Sequence, residues 1–563
     1  MTSTQENPDA TPSTARRLLP GALAGLLAGA AAVGASEAVA AVLSGVTSPV
    51  LAVGDRAIDF TPRPLKEFAI AHFGSHDKQI LIGGMLATLA LLALVAGVLG
   101  VRRPRLATGL FVVLSLVATG AALTDRAAIA SPLLQLLPCL ALLVVGLGSL
   151  LLLTRPLRRA PAAASVAPVA REQATTPEPR RESVEDGKPR LYLGDLLPAN
   201  VAGDDLPAAF DRRAFLKAAM AVTAVAAAGE LLSRQLGGAA AASRADVRIP
   251  KPAVAAPPVP QGASLDVKGI TPYLTSNKDF YRVDTALKVP DVPVDGWSLR
   301  IHGAVDKELN LSFQDLLSRR LVERRITLTC VSNPVGGHYL GNATWIGVPV
   351  ADLLEEAGVH ASADAVKSRS ADDWTSGTPL SALMDKERGA LVAVAMNGEP
   401  LPLQHGFPAR LVVPGLYGYV SATKWLVDLE VSRFADFKAY WTTRGYAAEA
   451  PIKTSSRIDV PRSFAQLHKG KNTIAGVAWS QDRGITKVEV RVDGGQWQQA
   501  KLAEQDSVDT WRQWVWEGWD ASAGNHTLEV RATDKTGYTQ TEKRAPIAPD
   551  GSTGWHSVNV SVS

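Results

Sequence analysis

The sequence predicts an N-terminal helical membrane anchor, then an α+β domain, then an immunoglobulin-like β-sandwich, and three observations carry that prediction. Four apolar runs near the start are each long enough to cross a bilayer, which takes about 20 helical residues. Between residues 269 and 450 short strands mix with short helices, the signature of an α+β layer structure. From residue 451 the pattern turns to strands with alternating side chains and Gly-marked turns, as in a sandwich. The 563 residues exceed one domain of roughly 100 to 200 residues. Charge divides the chain the same way, with 19 charged residues in the first 155 and 93 in the remaining 408. All twelve Trp lie from Trp297 onward.

After a cytoplasmic tail (1–17), the predicted spans within 18–155 are Leu18 to Leu43, Ile80 to Leu99, Leu106 to Leu123 and Leu133 to Leu153. Glu37 is the one ionisable residue well inside a run; it is either a buried functional carboxylate or the mark of an earlier helix end. Arg16 and Arg17, Arg102, Arg103 and Arg105, and Arg155, Arg158 and Arg159 fall on one side of the four crossings, which the positive-inside bias makes cytoplasmic. Residues 156–210, rich in Ala, Pro, Glu and Arg without a period, read as a disordered cytoplasmic linker. At 211–235 the string Asp211 to Lys217 places paired arginines before a short apolar stretch, a twin-arginine-like export signal that can stay as a fifth hydrophobic span. A Pro/Ala-rich linker (236–268) follows.

In the α+β domain, SFQDLLSRRLV begins with a Ser-x-x-Asp capping arrangement at Ser312, and Val350, Leu353, Leu354 and Ala357 share one helical face that ends at Gly358. WSLRIHG, RITLTC, ALVAVAMNG and ARLVVP read as strands. In the C-terminal domain (451–563), Val488, Val490 and Val492 alternate with Glu489 and Arg491 up to the hairpin pair Asp493-Gly494, and Leu528, Val530 and Ala532 repeat the device.

Composition excludes several functions. The soluble part has no excess of Lys or Arg to neutralise phosphates, so a nucleic-acid binder is excluded. Two Cys, Cys139 and Cys330, exclude a disulfide-stapled scaffold. No His occurs within the four runs, so bis-histidine haem ligation is unavailable there. Cys330 is the residue to weigh. It ends the strand RITLTC and opens the loop VSNPVGGHYLGNATW. One reading makes it a small buried hydrophobe, the other a thiolate metal ligand or nucleophile; no CxxC or HExxH accompanies it to suggest zinc.

From about Leu274 to Ser563 the chain resembles the sulfite oxidase family of molybdenum enzymes. The resemblance rests on FYR at Phe280 to Arg282, TCVSN around Cys330, MNGEPLPLQHGFPARLVVPG from Met396 to Gly415, KWL from Lys424, YWTTRGY from Tyr440 to Tyr446, GVAWSQDRGITKVEVRVDGG, and the ending PDGSTGWHSVNV. It implies a molybdenum held by one molybdopterin dithiolene and one protein thiolate, and Cys330 matches that thiolate. Asn333 in the same motif, His405 and Arg410 within HGFPAR, and Thr423 with Lys424 match cofactor-binding positions. Arg282, Tyr446 and Arg512 match the substrate pocket, where guanidinium groups would offset the charge of an oxyanion. In one departure, Pro334 and Val335 stand where sulfite oxidases usually place arginines after the ligand Cys, and this puts sulfite as the substrate in question.

The implied activity is a membrane-anchored, extracytoplasmic oxygen-atom transfer using Mo-molybdopterin, with sulfite oxidised to sulfate as the leading substrate. A molybdenum-dependent reductase of a sulfoxide, N-oxide or nitrate is the alternative, and a cofactor-free β-sandwich binding protein the third. No segment resembles a haem-binding or flavin domain, so electrons would leave through a separate cytochrome or membrane partner. The terminal domain's resemblance implies a homodimer. The expected partners are therefore a small oxyanion or oxide, an electron carrier and the lipid bilayer.

Overall fold

The computed structural model describes residues 19–43, 46–62, 65, 77–125, 131–158, 216–224, 227 and 238–563. The expected cytoplasmic tail, nearly all of the linker at 156–210, the paired arginines and much of the fifth hydrophobic segment lie outside them. The chain divides into two compact units, Met1–Gly54 with Gln79–Thr124 and Ala130–Gln235, and Asp55–Lys78 with Asp125–Ile129 and Leu236–Ser563.

The first unit holds α1 (Leu19–Val42), the start of α2 (Pro49–Phe60), α3 (Asp77–Arg102), α4 (Pro104–Leu123) and α5 (Pro132–Arg158). All but α2 are long and apolar enough to cross a membrane. Their association follows the small-residue logic of helices that have no hydrophobic drive to pair. A Cβ on Gly25 of α1 would lie 2.6 Å from the Gly97 amide nitrogen of α3, so only glycine lets these backbones approach. Ala24 and Ala31 of α1 are buried with Leu153 and Leu157 of α5, and Ala28 and Ala32 with Phe111 and Leu150. Leu91, Val113, Leu116, Val117 and Val144 stay exposed, as lipid-facing side chains would. Glu37 does not end α1, which continues to Val42, and its carboxylate accepts a hydrogen bond from the Ser48 hydroxyl.

In the second unit, the stretch expected as a Pro/Ala-rich linker at 236–268 is packed against the following domains over its described residues, 238–268. It contains α6 (Ala239–Asp246), whose Arg244 donates to Leu401 O at 2.8 Å and Pro400 O at 2.7 Å and pairs with Glu399 at 2.8 Å. Further on, Val254 bridges Val322, and the Leu265 amide donates to Gln513 Oε1 at 2.6 Å. Proline prevents a regular ladder here, but both following domains supply partners for the backbone groups instead.

The α+β domain comprises β1 (Ser298–Gly303), β2 (Leu309–Ser312), α7 (Phe313–Ser318), β3 (Val322–Thr329), β4 (Leu340–Pro349), α8 (Val350–Ala357), β5 (Ala365–Ser370), β6 (Thr375–Pro379), α9 (Leu380–Met384), β7 (Leu391–Met396), β8 (Glu399–Pro400), β9 (Arg410–Val412) and β10 (Leu426–Ser432). One sheet runs β2-β1-β10-β5-β6; the other runs β3-β4-β7-β8, with β9 added beside β7. β7 is buried at all six positions, which explains why ALVAVAMNG shows no alternation. Ser312 and Asp315 form the capping box of α7, and Gly358 closes α8 in the left-handed region at φ 71°.

The C-terminal domain folds as two packed sheets. The strands are β11 (Ser455–Val460), β12 (Gln466–Leu467), β13 (Gly470–Trp479), β14 (Ile485–Val492), β15 (Gln498–Gln499), β16 (Lys501–Leu502), β17 (Arg512–Ala521), β18 (Gly524–Asp534) and β19 (His556–Val562). The sheets are β11-β13-β17-β16 and β12-β19-β18-β14-β15. Ile458, Ile474 and Trp514 of one meet Val488, Val490, Leu528 and Val558 of the other. Asp493 and Gly494 turn β14 toward β15 at φ 50° and 68°, both in the region a type I′ turn requires.

Candidate active site

Strand β3 delivers Cys330 to the head of a loop that its own backbone closes. The Cys330 amide donates to Tyr339 O at 2.9 Å, and the Asn333 amide donates to Cys330 O at 3.1 Å. Asn333 Oδ1 accepts from the Tyr339 amide at 2.9 Å, so this side chain, expected to touch the cofactor, shapes the loop. Cys330 is 8% exposed. Burial pushes its thiol pKa up, while Ser332 and the Lys424 charge pull the other way.

The Lys424 charge reaches this thiol, and Arg410 and Arg282 lie near Lys424. Arg410, 5% exposed at the start of β9, donates Nη1 to His405 O at 3.1 Å and Nη2 to Ala422 O at 3.2 Å, and its guanidinium lies 5.1 Å over the Trp345 ring. Among the described residues no carboxylate pairs with it. Burial holds its pKa down to about 10. Lys424 donates to Asp284 Oδ2 at 2.6 Å and Gln404 O at 3.2 Å; burial lowers its pKa to about 8, with Asp284 opposing. Arg282 shares the same carboxylate at 2.8 Å. Buried His405 donates Nε2–H to Asn277 O at 3.1 Å, which leaves Nδ1 as an acceptor. Burial, then Arg410, drives its pKa down to about 4, so the ring is neutral at pH 7.

The other expected residues divide. Thr423 is fully buried and its hydroxyl is paired with Ser368 at 2.7 Å, behind the site. Tyr446 packs edge-on against Tyr419 at 5.5 Å and Trp441 at 5.3 Å. The Arg512 guanidinium donates to Ala503 O at 2.7 Å and Ile485 O at 2.9 Å within the β-sandwich. Reading the chain missed Tyr281, whose phenol is raised in pKa by burial and by the Cys330 charge; its signal was its place inside FYR. It also missed Asp284, the shared counterion two residues past Arg282. Beside the loop lies a small cavity lined in part by Pro334, Val335, Tyr417, Ser456, Gln540 and Ser552, with no charged residue among its walls.

This donor set suits a molybdopterin. Among the described residues no group of three His, Cys, Asp or Glu could hold a metal. A metal here would therefore take one soft thiolate from the protein and the rest from its cofactor. A fully buried guanidinium bonded only to carbonyls is stable beside an anion such as a cofactor phosphate.

The family model for the oxidoreductase molybdopterin binding domain matches residues 286–441, which include Cys330, His405, Arg410, Thr423 and Lys424. That for the Mo-co oxidoreductase dimerisation domain matches 444–563. Mitochondrial sulfite oxidase of Macaca fascicularis is 31% identical over 52% of this chain and 62% of its own length. Sulfite oxidase of Gallus gallus is 31% identical over 50% of this chain and 72% of its own length. The uncharacterized oxidoreductase YuiH of Bacillus subtilis is 36% identical over 27% of this chain and 72% of its own. The crystal structure of sulfane dehydrogenase SoxCD from Paracoccus pantotrophus aligns at TM-score 0.45 and 25% identity, over 51% of this chain and 81% of that one. The chain thus spans less than two thirds of the mitochondrial sulfite oxidases it matches. With the lone thiol, the cations near it and both domain models in one unit, the chain belongs to the sulfite oxidase family of molybdopterin-dependent oxidoreductases.

Proposed function

We propose that the protein is a membrane-anchored, extracytoplasmic molybdenum enzyme that oxidises sulfite with water to sulfate, releasing two protons and two electrons to a separate carrier. The observation that carries this reading is Arg410, a buried cation with carbonyl partners only, set in the same cluster as the Cys330 thiol. When bound, the cofactor supplies the two-electron redox and oxo chemistry. The protein's part is ligation, charge and orientation. Cys330 would supply the thiolate, with the Lys424 charge favouring its deprotonation. Arg410 and Lys424 would hold anionic oxygens of the cofactor, and neutral His405 would offer Nδ1 as an acceptor. Arg282, 35% exposed at its side chain, is the cation best able to meet an incoming oxyanion, with Asp284 fixing its direction. Tyr446 is the hydroxyl assigned to the substrate.

Membrane attachment is supported by the four apolar helices. The outside placement rests on the Lys/Arg bias of the short flanks and on the twin-arginine-like string from Asp211 to Lys217. A homodimer is supported by the dimerisation-domain match, and an immunoglobulin-like class by the two-sheet sandwich.

A reductase of an uncharged sulfoxide or N-oxide is the second reading, favoured by Pro334 and Val335 standing where sulfite oxidases usually place arginines. The detergent-solubilised full chain decides between them. Sulfite-dependent ferricyanide reduction, lost on Arg282→Met, is the expected result. Turnover of a sulfoxide with reduced viologen, without sulfite turnover, would transfer the site to the reductase reading.

A further inference from the structure

The loop that carries the thiol is gripped from the C-terminal domain at three points. Ser552 Oγ donates to Asn333 O at 2.8 Å, and Arg457 Nη1 donates to Gly337 O at 2.7 Å. Between them, Gly336 sits at φ 79° with the His556 ring against it, so close that a Cβ there would lie 2.2 Å from His556 Cδ2.

The grip is itself held. Arg457 is 2% exposed; it pairs with Asp459 at 2.6 Å and donates to Thr271 Oγ1 at 2.8 Å, which leaves its guanidinium little freedom. His556 Nδ1 accepts from the Ile458 amide at 3.0 Å, which fixes the ring and places its proton on Nε2. Asn333 is both the acceptor of the Ser552 bond and the residue whose side chain and amide close the Cys330 turn.

We propose that Ser552, Arg457 and His556 of the C-terminal domain are positioning residues for the Cys330 thiolate, so that this domain completes the metal site as well as joining subunits. The claim rests on Cys330 being the metal ligand, and it extends that reading to a domain whose family name speaks only of dimerisation. Loss of one anchor lets the loop open, exposing the thiol and changing the orientation of its sulfur.

The test uses the full chain in detergent, made without the cofactor, with the alkylation rate of Cys330 read by peptide mass spectrometry. Ser552→Ala and His556→Gln are expected to speed alkylation about tenfold, the equivalent of one lost hydrogen bond. Arg457→Ala should exceed that, and Arg457→Lys should recover part of it. Thr527→Ala removes a similar bond, to Asn559 Oδ1 at 2.9 Å, elsewhere in the same domain, and should leave the rate unchanged. In the metal-loaded protein the same variants should shift the sulfur-to-metal absorption band. Rates within twofold of wild type for Ser552→Ala and His556→Gln would overturn the proposal, as would an equal rise in Thr527→Ala. A metal-free wild type would sink the functional reading, yet the alkylation rates would still decide the grip.

Discussion

Arg410→Met separates a residue kept for stability from one kept to bind an anion. The depression of the Arg410 pKa from 12.5 to about 10 means that the folded, cofactor-free protein bears a desolvation cost of about 3 kcal/mol. Methionine removes that cost and fills similar space. It also takes away the donors to His405 O and Ala422 O, at about 1–3 kcal/mol each. The two effects oppose, so cofactor-free Arg410→Met should lie between about 1 kcal/mol more and about 3 kcal/mol less stable than wild type. Breaking a buried ion pair would instead cost roughly 3–5 kcal/mol. Cofactor retention should fall steeply, because an anion once paired with a guanidinium would lie buried alone. The assay is thermal unfolding of cofactor-free protein beside pterin and molybdenum content of protein from a cofactor-competent host. A cofactor-free variant destabilised by more than 4 kcal/mol that still loads normally would show that Arg410 is structural and refute the reasoning.

Three further outcomes follow from the same structure. His405 and His556, both held down to about 4, resist protonation in the fold but take it up near 6.5 when unfolded. Stability of the cofactor-free protein should thus fall as pH drops from about 6.5 to 4, by at most about 3 kcal/mol per group; melting points across that range should flatten in His556→Gln, and an unchanged slope would discount the burial argument. Gly25→Val should disrupt the α1–α3 contact and the detergent-resistant assembly of the spans while leaving molybdenum content intact; an unaltered assembly would count against the close approach. Ser312→Ala should cost about 1 kcal/mol by removing the α7 capping box, read from the melting point, and no change would mean that the box is decorative.

What the chain alone revealed depended on whether the signal was local. Membrane length, the Ser312 cap and the Asp493-Gly494 turn are written in consecutive residues, and each formed as expected. Cys330 stood out because its type is rare and its place, at the end of an apolar strand, is distinctive, and β3 does run to Thr329 beside it. Position on a strand, by contrast, does not say where a long side chain turns, and Arg512 turned to the carbonyls of Ala503 and Ile485. The segment 236–268 misled because proline and alanine signal a lack of regular structure, whereas its partners, Glu399 and Gln513, are more than 150 residues away. Helix α2 (Pro49–Phe60) went unpredicted because it lies between two expected spans and is too short to cross a bilayer. Asp284 escaped notice because a counterion is recognised only when both of its cations are seen to share it.

The central claim is that Cys330 holds molybdenum at a site built by both domains, and metal content tests it most directly. Elemental analysis of the detergent-solubilised full chain from a cofactor-competent host should give near one molybdenum per chain. Cys330→Ala should lose sulfite-dependent ferricyanide reduction and hold its metal poorly. Well-folded wild-type protein without molybdenum, or Cys330→Ala with full metal and undiminished turnover, would contradict the account.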